Sequence, residues 1–156
     1  MDLSREFHPI HKPRNRTQKK QKKTQMHKGR VIPKRGVRGR FTKKDIATIF
    51  DYFGESCNIC GGNNIEIHHV MFKSRGGRRG WRNGMPLCNN CHTKAHRHSD
   101  FADSLIEDRQ DRYGEDFYKD EFDLFTENKI SSPTKELFER YMQSYDYKTG
   151  KYGGIR

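Results

Sequence analysis

The sequence of 156 residues is short of apolar side chains and has no long apolar run. Hydrophobic residues make up 31% of it, and no window reaches the roughly 18 consecutive apolar residues that a membrane-spanning helix needs. The first residues do not lead into an apolar secretion segment. These absences exclude a large apolar core and a membrane span, and they predict a cytoplasmic protein.

Acidic residues are scarce at the start of the chain. Residues 1–40 contain fourteen Lys or Arg and only two acidic residues, so this segment alone carries +12, the formal net charge of the whole sequence. Residues 41–99 carry a net charge of +5, and residues 100–156 carry −5. The chain is therefore basic at its start and acidic at its end.

The basic segment 1–40 is also poor in apolar residues and contains three prolines and three glycines. This composition cannot offset the entropy of folding, so we predict a disordered basic arm. The favoured interpretation is an arm that follows a phosphate backbone, and the alternative is a localisation or solubility tail. The phosphate-binding candidates in the arm are Lys19, Lys20, Lys22 and Lys23.

Three helices are predicted outside the cysteine-rich region. The first starts at Thr42, which can form a capping box with Asp45, and ends at Gly54. The second covers about residues 100–112, and the third begins after Ser132. We expect these helices to contribute packing and no chemistry.

The four cysteines form two identical pairs, Cys57 with Cys60 and Cys88 with Cys91. A tetrahedral zinc ion needs four such ligands, and a two-residue gap lets one tight turn present both sulfurs of a pair. Two disulfides or a redox pair are alternatives, but the chain shows no secretion signal and duplicate redox motifs would be unusual. Structural Zn²⁺ is therefore favoured, with a folding contribution of roughly 10 kcal/mol.

Histidines cluster between and after the cysteine pairs. Residues 65–70 alternate like a short strand that carries His68 and His69. The segment from Cys91 contains no helix breaker, which places His92 and His96 four residues apart on one helical face. This spacing allows two imidazoles to bind one metal ion.

The loop that follows the predicted strand is rich in glycine and arginine. We expect its arginines to hold a phosphate backbone, and a solvated loop is the alternative. These residues are Arg75, Arg78, Arg79 and Arg82.

The cysteine pairs, the His68-His69 pair, Asn83 and His92 together resemble the HNH endonucleases of bacteria and their phages. The match is to those members whose ββα-metal motif contains a four-cysteine zinc site, and it covers roughly residues 55–97. The resemblance implies an α+β fold with a ββα-metal core, and the charge distribution and helix patterns divide the chain into three regions. These are the disordered basic arm (1–40), the zinc-stapled core with its lead-in helix (41–99) and an acidic helical extension (100–156).

The resemblance also implies a role for each site residue. His69 matches the general base that activates water, and Asn83 matches the residue that fixes the loop and so orients this base. His68, His92 and His96 match ligands of a catalytic divalent ion. Relatives often have Asp at the position of His68, and three imidazoles favour Zn²⁺, Ni²⁺, Co²⁺ or Mn²⁺ over Mg²⁺.

The function implied is a metal-dependent endonuclease that nicks DNA or cuts both strands. The reference pKa of about 6.5 for histidine predicts that activity falls below about pH 6, because His69 must be neutral. One alternative is a catalytically inactive zinc-dependent module that binds nucleic acid. Another is an accessory protein of phage replication or packaging that binds a protein partner through its acidic C-terminal region.

Deletion of residues 1–40 should weaken DNA affinity and flatten its dependence on salt, because each phosphate neutralised by the arm releases counterions. The zinc core should stay folded. Fluorescence anisotropy at several salt concentrations measures both quantities. An unchanged salt slope would remove the arm from DNA binding.

Overall fold

The computed structural model describes residues 24–149, with side chains to residue 144. The lysines at positions 19, 20, 22 and 23 lie outside the described residues. In chain order the helices and strands are β1 (Met26–His27), β2 (Arg30–Val31), α1 (Arg35–Arg38), α2 (Lys43–Phe53), β3 (Ile65–His69), β4 (Gly84–Cys88), α3 (Asn89–Arg97), α4 (Ser99–Tyr113), α5 (Glu121–Thr126) and α6 (Lys135–Thr149).

The centre of the fold is a ββα unit made of β3, β4 and α3. The two strands are antiparallel, with Ile65 opposite Cys88 and His69 opposite Gly84, and α3 follows β4 directly. Residues 84–87 of β4 are all buried, because α2 and α3 pack against this strand. The predicted α+β fold with a ββα core is confirmed.

Helix α2 has the predicted ends. The backbone N–H of Thr42 donates to the Asp45 carboxylate at 2.7 Å, and the Asp45 N–H donates back to the Thr42 hydroxyl at 3.3 Å. Gly54 ends the helix with a φ of +77°, a conformation that glycine adopts without steric cost. The buried side chain of Ile49 then anchors the helix against the start of β4.

Two apolar clusters hold the other helices. The first joins the ββα unit to α4, where Leu105 and Ile106 are buried with Leu87 and Ala95. The second joins α5 and α6, and includes the buried side chains of Ile32, Leu124, Phe125, Ile130, Phe138 and Met142. Helix α6 contributes Phe138 and Met142 to this second cluster. It begins two residues later than predicted, because the Thr134 carbonyl accepts the first helical hydrogen bond.

The disordered arm predicted over residues 1–40 is wrong for residues 24–40. Strands β1 and β2 form a hairpin whose Lys28-Gly29 turn has positive φ at both residues, and Ile32 is buried in the second cluster. The apolar partners of Ile32 lie about a hundred residues further along the chain, where local composition cannot reveal them. A deletion limited to residues 1–23 therefore spares the packed segment.

Within residues 24–149, the structure contains no helix of the length and hydropathy required to cross a bilayer.

Asn83 fixes the loop between β3 and β4. Its side chain is fully buried, accepts a hydrogen bond from the Met71 N–H at 2.7 Å, and donates to the carbonyls of Met71 and Arg78. Gly77 makes this arrangement possible, since a Cβ at this position would lie 1.8 Å from the Met71 carbonyl oxygen and 2.9 Å from the Asn83 amide nitrogen. Sequence patterns identified Asn83 but not Gly77.

The substitution Gly77→Ala should destabilise the zinc-loaded protein by about 1–3 kcal/mol or more, because the new methyl group overlaps backbone that Asn83 holds in place. Chemical denaturation measures this change. Gly80→Ala is the matched control, since the nearest atom to its Cβ lies at 4.0 Å. Equal stability of the two variants would contradict the packing described for Gly77.

Candidate functional site

The four cysteine sulfurs meet at one end of the ββα unit. Cys57 and Cys60 lie on the turn before β3, while Cys88 ends β4 and Cys91 lies in the first turn of α3. The Cys60 sulfur is 3.5 Å from that of Cys88 and 3.8 Å from that of Cys91, and all four cysteines are free. A disulfide bond is about 2.05 Å long, whereas sulfurs around a tetrahedral Zn²⁺ are separated by about 3.8 Å. The cluster fits zinc.

Cys57 shows how the backbone prepares this site. Burial raises the pKa of its thiol, but backbone N–H groups of Cys88, Cys60 and Ile59 outweigh burial and lower the pKa to about 6. The thiolate, which is the form that binds metal, is therefore favoured at this position.

Three histidines meet at a second point of the same unit. His68 of β3 faces His92 and His96 of α3, and one nitrogen from each ring lies within 4.8 Å of the others. The Nε2 atoms of His92 and His96 are only 3.3 Å apart, which confirms that these residues share one helical face. Three converging imidazoles are a donor set for a divalent transition-metal ion.

His68 provides a specific test of this fit. Its side chain is 1% exposed, and neither ring nitrogen has a hydrogen-bond partner among the described residues. Buried polar atoms without a partner are rare because they are costly. Burial, together with the neighbouring histidines, lowers the pKa of His68 to about 3, which keeps the ring in the neutral form that a metal ligand requires.

Glu66 supports the same cluster and was missed by sequence reasoning. Its carboxylate accepts a hydrogen bond from Nδ1 of His92 at 2.8 Å, which leaves the lone pair of this ring on Nε2, facing the cluster. A carboxylate behind a ligating histidine fixes the orientation of the ring and raises its basicity. Strand alternation puts Glu66 and His68 on one face, and this was the available sequence signal.

His69 points to a different set of neighbours from those of His68, as alternation along a strand requires. One ring nitrogen, Nε2, is 2.8 Å from the Gly39 carbonyl oxygen, and the ring stacks on Phe41 with centroids 4.0 Å apart. Because a carbonyl only accepts, Nε2 carries the proton and the lone pair lies on Nδ1. His69 therefore has the tautomer of a base acting through Nδ1.

Burial lowers the pKa of His69 to about 4, with a hydrogen bond to Gly39 opposing the shift and the nearby Lys73 charge adding to it. A lowered pKa means that the neutral ring persists to lower pH. A reaction that needs neutral His69 is therefore expected to persist below the limit near pH 6 predicted from the reference pKa, because the sequence did not reveal how far this histidine is buried.

Two of the four loop arginines have structural partners. The guanidinium of Arg78 binds the Asp123 carboxylate through two hydrogen bonds of 2.6 and 2.9 Å. Arg82 is 5% exposed and binds Glu139 at 2.7 Å. The phosphate-binding role predicted for Arg78 and Arg82 is therefore wrong, because their donors face acidic residues of the C-terminal region.

Arg75 and Arg79 remain at the surface. Their side chains are 54% and 38% exposed, and their acidic neighbours, Asp103 and Asp45, lie at 3.6 and 3.9 Å. Exposed pairs of this kind contribute little to stability. Both arginines therefore keep donors for another anion.

Residues 57–98, about a quarter of the chain, match the family model described as HNH endonuclease. This span contains both cysteine pairs, the three clustered histidines, His69 and Asn83. Residues 57–98 therefore form an HNH-type domain, and the clustered cysteines are consistent with its zinc-binding subgroup. Neither a curated protein nor a solved structure matches the chain.

The substitution Glu66→Ala should reduce the affinity of the histidine cluster for Co²⁺ or Ni²⁺ by about 10–100-fold, because His92 loses the carboxylate that fixes its ring. Calorimetric titration of the zinc-loaded protein measures this affinity. Glu107→Ala, which removes an exposed carboxylate from α4, is the control. Equal affinity of the two variants would show that the Glu66 contact is incidental.

Proposed function

We propose that the protein is a divalent-metal-dependent endonuclease that hydrolyses phosphodiester bonds in DNA. One observation supports this proposal. Three imidazoles that could hold a metal ion converge on one side of β3, and a fourth imidazole, at the end of the same strand, donates from Nε2 to a carbonyl. A site that only bound metal would not need the fourth.

Each residue of the site has a distinct role. His68, His92 and His96 would hold the ion, and Glu66 would orient His92. An ion bound there supplies positive charge that stabilises the phosphate and the leaving oxygen. His69 takes the proton of the attacking water on Nδ1, while its other nitrogen donates to Gly39.

Asn83 acts as a positioning residue, since it holds the loop next to His69 without facing the metal cluster. The scissile phosphate would lie between the cluster and His69. The exposed Arg75 and Arg79, with the lysine-rich segment at positions 19 to 23, would contact the flanking backbone.

Two alternatives lead to different expectations. A catalytically inactive module would bind nucleic acid without cutting it. The lone pair on Nδ1 of His69, which a general base requires, argues against this alternative. An accessory protein would use its acidic region to dock a partner, but Asp120, Asp123 and Glu139 are already paired with arginines of the same chain. These three acidic residues thus have a structural role within the chain.

Four free cysteines suit a reducing compartment. We propose that the protein acts in the cytoplasm of a bacterial cell, encoded by the bacterium, a phage or a mobile element.

The zinc-loaded protein should nick or linearise plasmid DNA when Mg²⁺, Mn²⁺, Ni²⁺ or Co²⁺ is added, and chelation should stop the reaction. His69→Ala should lower the rate by about 10²- to 10⁴-fold, since this variant loses the general base. His98→Ala, an exposed histidine just beyond α3, is the matched control.

Gel assays with plasmid, linear, single-stranded, junction and RNA substrates measure these rates and identify the preferred substrate. Cleavage by His69→Ala at the parent rate would refute the assigned base. Binding of DNA without cleavage under every metal condition would favour the inactive module.

A further inference from the structure

The contacts that set the tautomer of His69 come from outside the HNH segment. Gly39 and Phe41 precede α2, whereas the matched segment begins at residue 57. Gly39 is buried, and a Cβ there would lie 3.4 Å from the Gly77 carbonyl oxygen and from the Lys73 side chain. The short segment 38–41 thus packs between His69 and the loop that Asn83 fixes.

Arg38 anchors this segment to the C-terminal region. Its Nε donates to Asp120 at 2.7 Å, and its Nη2 contacts the carboxylates of Asp120 and Asp123. The Arg38 side chain is only 9% exposed, so these ion pairs are largely shielded from water. A two-pronged contact of a guanidinium with carboxylates fixes direction as well as distance.

The acids that bind Arg38 are themselves fixed. Asp120 caps α5 by accepting hydrogen bonds of 3.0 Å from the N–H groups of Phe122 and Asp123. The backbone of Arg38 is held from the other side, because its carbonyl accepts from the Arg79 N–H at 3.0 Å. The carbonyl of Gly39 is the next one along the chain, so the anchored Arg38 restricts where this carbonyl can lie.

We propose that Arg38 is a positioning residue for the base His69, and that the acidic C-terminal region acts on the site through it. This inference rests on the proposed function of His69. Asp120 and Asp123 hold Arg38, Arg38 holds the Gly39 carbonyl, and this carbonyl selects the tautomer with the lone pair on Nδ1. Without that carbonyl, the neutral ring distributes between two tautomers, of which one has no lone pair at Nδ1.

A purely structural role for Arg38 predicts a different result. Loss of a structural ion pair lowers stability but leaves the correctly folded fraction fully active, with its base in the same tautomer. Loss of a positioning contact lowers kcat in the folded protein and changes the state of the His69 ring. The histidine cluster lies on the other side of β3, so its affinity for a metal ion should not change when Arg38 is replaced.

The test compares the full-length, zinc-loaded protein with the variants Arg38→Gln and Arg38→Lys, each assayed below its own unfolding temperature. Arg140→Gln, which removes an exposed cation from α6, is the control. The measurements are kcat and KM for DNA cleavage, Co²⁺ affinity, and nitrogen NMR of labelled histidine, which reports the tautomer of His69.

Arg38→Gln should lower kcat about tenfold or more, with KM and Co²⁺ affinity within a factor of about two, and should convert His69 to a mixture of tautomers. Arg38→Lys keeps the charge and should recover part of kcat. An Arg38→Gln variant with parental kcat and an unchanged His69 tautomer would overturn the inference.

The NMR measurement separates the two proposals. If the parent protein cleaves no nucleic acid, the proposed function fails, yet the tautomer of His69 in the parent and in Arg38→Gln still shows whether Arg38 controls the ring. If the parent cleaves DNA and Arg38→Gln changes neither kcat nor the tautomer, only the positioning role fails.

Discussion

Four cysteine sulfurs meet at one point, where the elements that form the site come together. Cys57 and Cys60 precede β3, whereas Cys88 and Cys91 join β4 to α3, so an ion bound by all four sulfurs fixes α3 against β3. This fixed angle brings His92 and His96 opposite His68. Only 31% of the residues are hydrophobic, so a zinc ion bound by the four cysteines would contribute a large share of the folding free energy, roughly 10 kcal/mol.

Ion pairs connect this small unit to the rest of the chain. Three arginines bind acidic residues of the C-terminal region. The pairs are Arg38 with Asp120, Arg78 with Asp123, and Arg82 with Glu139. Removal of one partner from a buried pair leaves an uncompensated charge, which costs about 3–5 kcal/mol where both groups are shielded, as Arg38 and Asp120 are. The acidic extension is therefore part of the fold that supports the site, although the family match does not include it.

The features that the sequence predicted well are those encoded locally. The capping box of Thr42 and Asp45, the spacing within each cysteine pair, and the four-residue interval between His92 and His96 need only helix or turn geometry. Long-range contacts behaved differently. The carbonyl that bonds His69 lies 30 residues away, and the carboxylate that binds Arg82 lies 57 residues away. Composition shows that an arginine is charged, but not whether it faces solvent or a buried acid.

The most direct measurement is anomalous diffraction from crystals of the full-length protein grown with zinc and soaked in Co²⁺. Zinc should appear among the four cysteine sulfurs, and a second ion among the ring nitrogens of His68, His92 and His96. A single ion at the cysteines, with the three imidazoles turned away from one another at saturating Co²⁺, would contradict the coupling between the thiolate site and the histidine site.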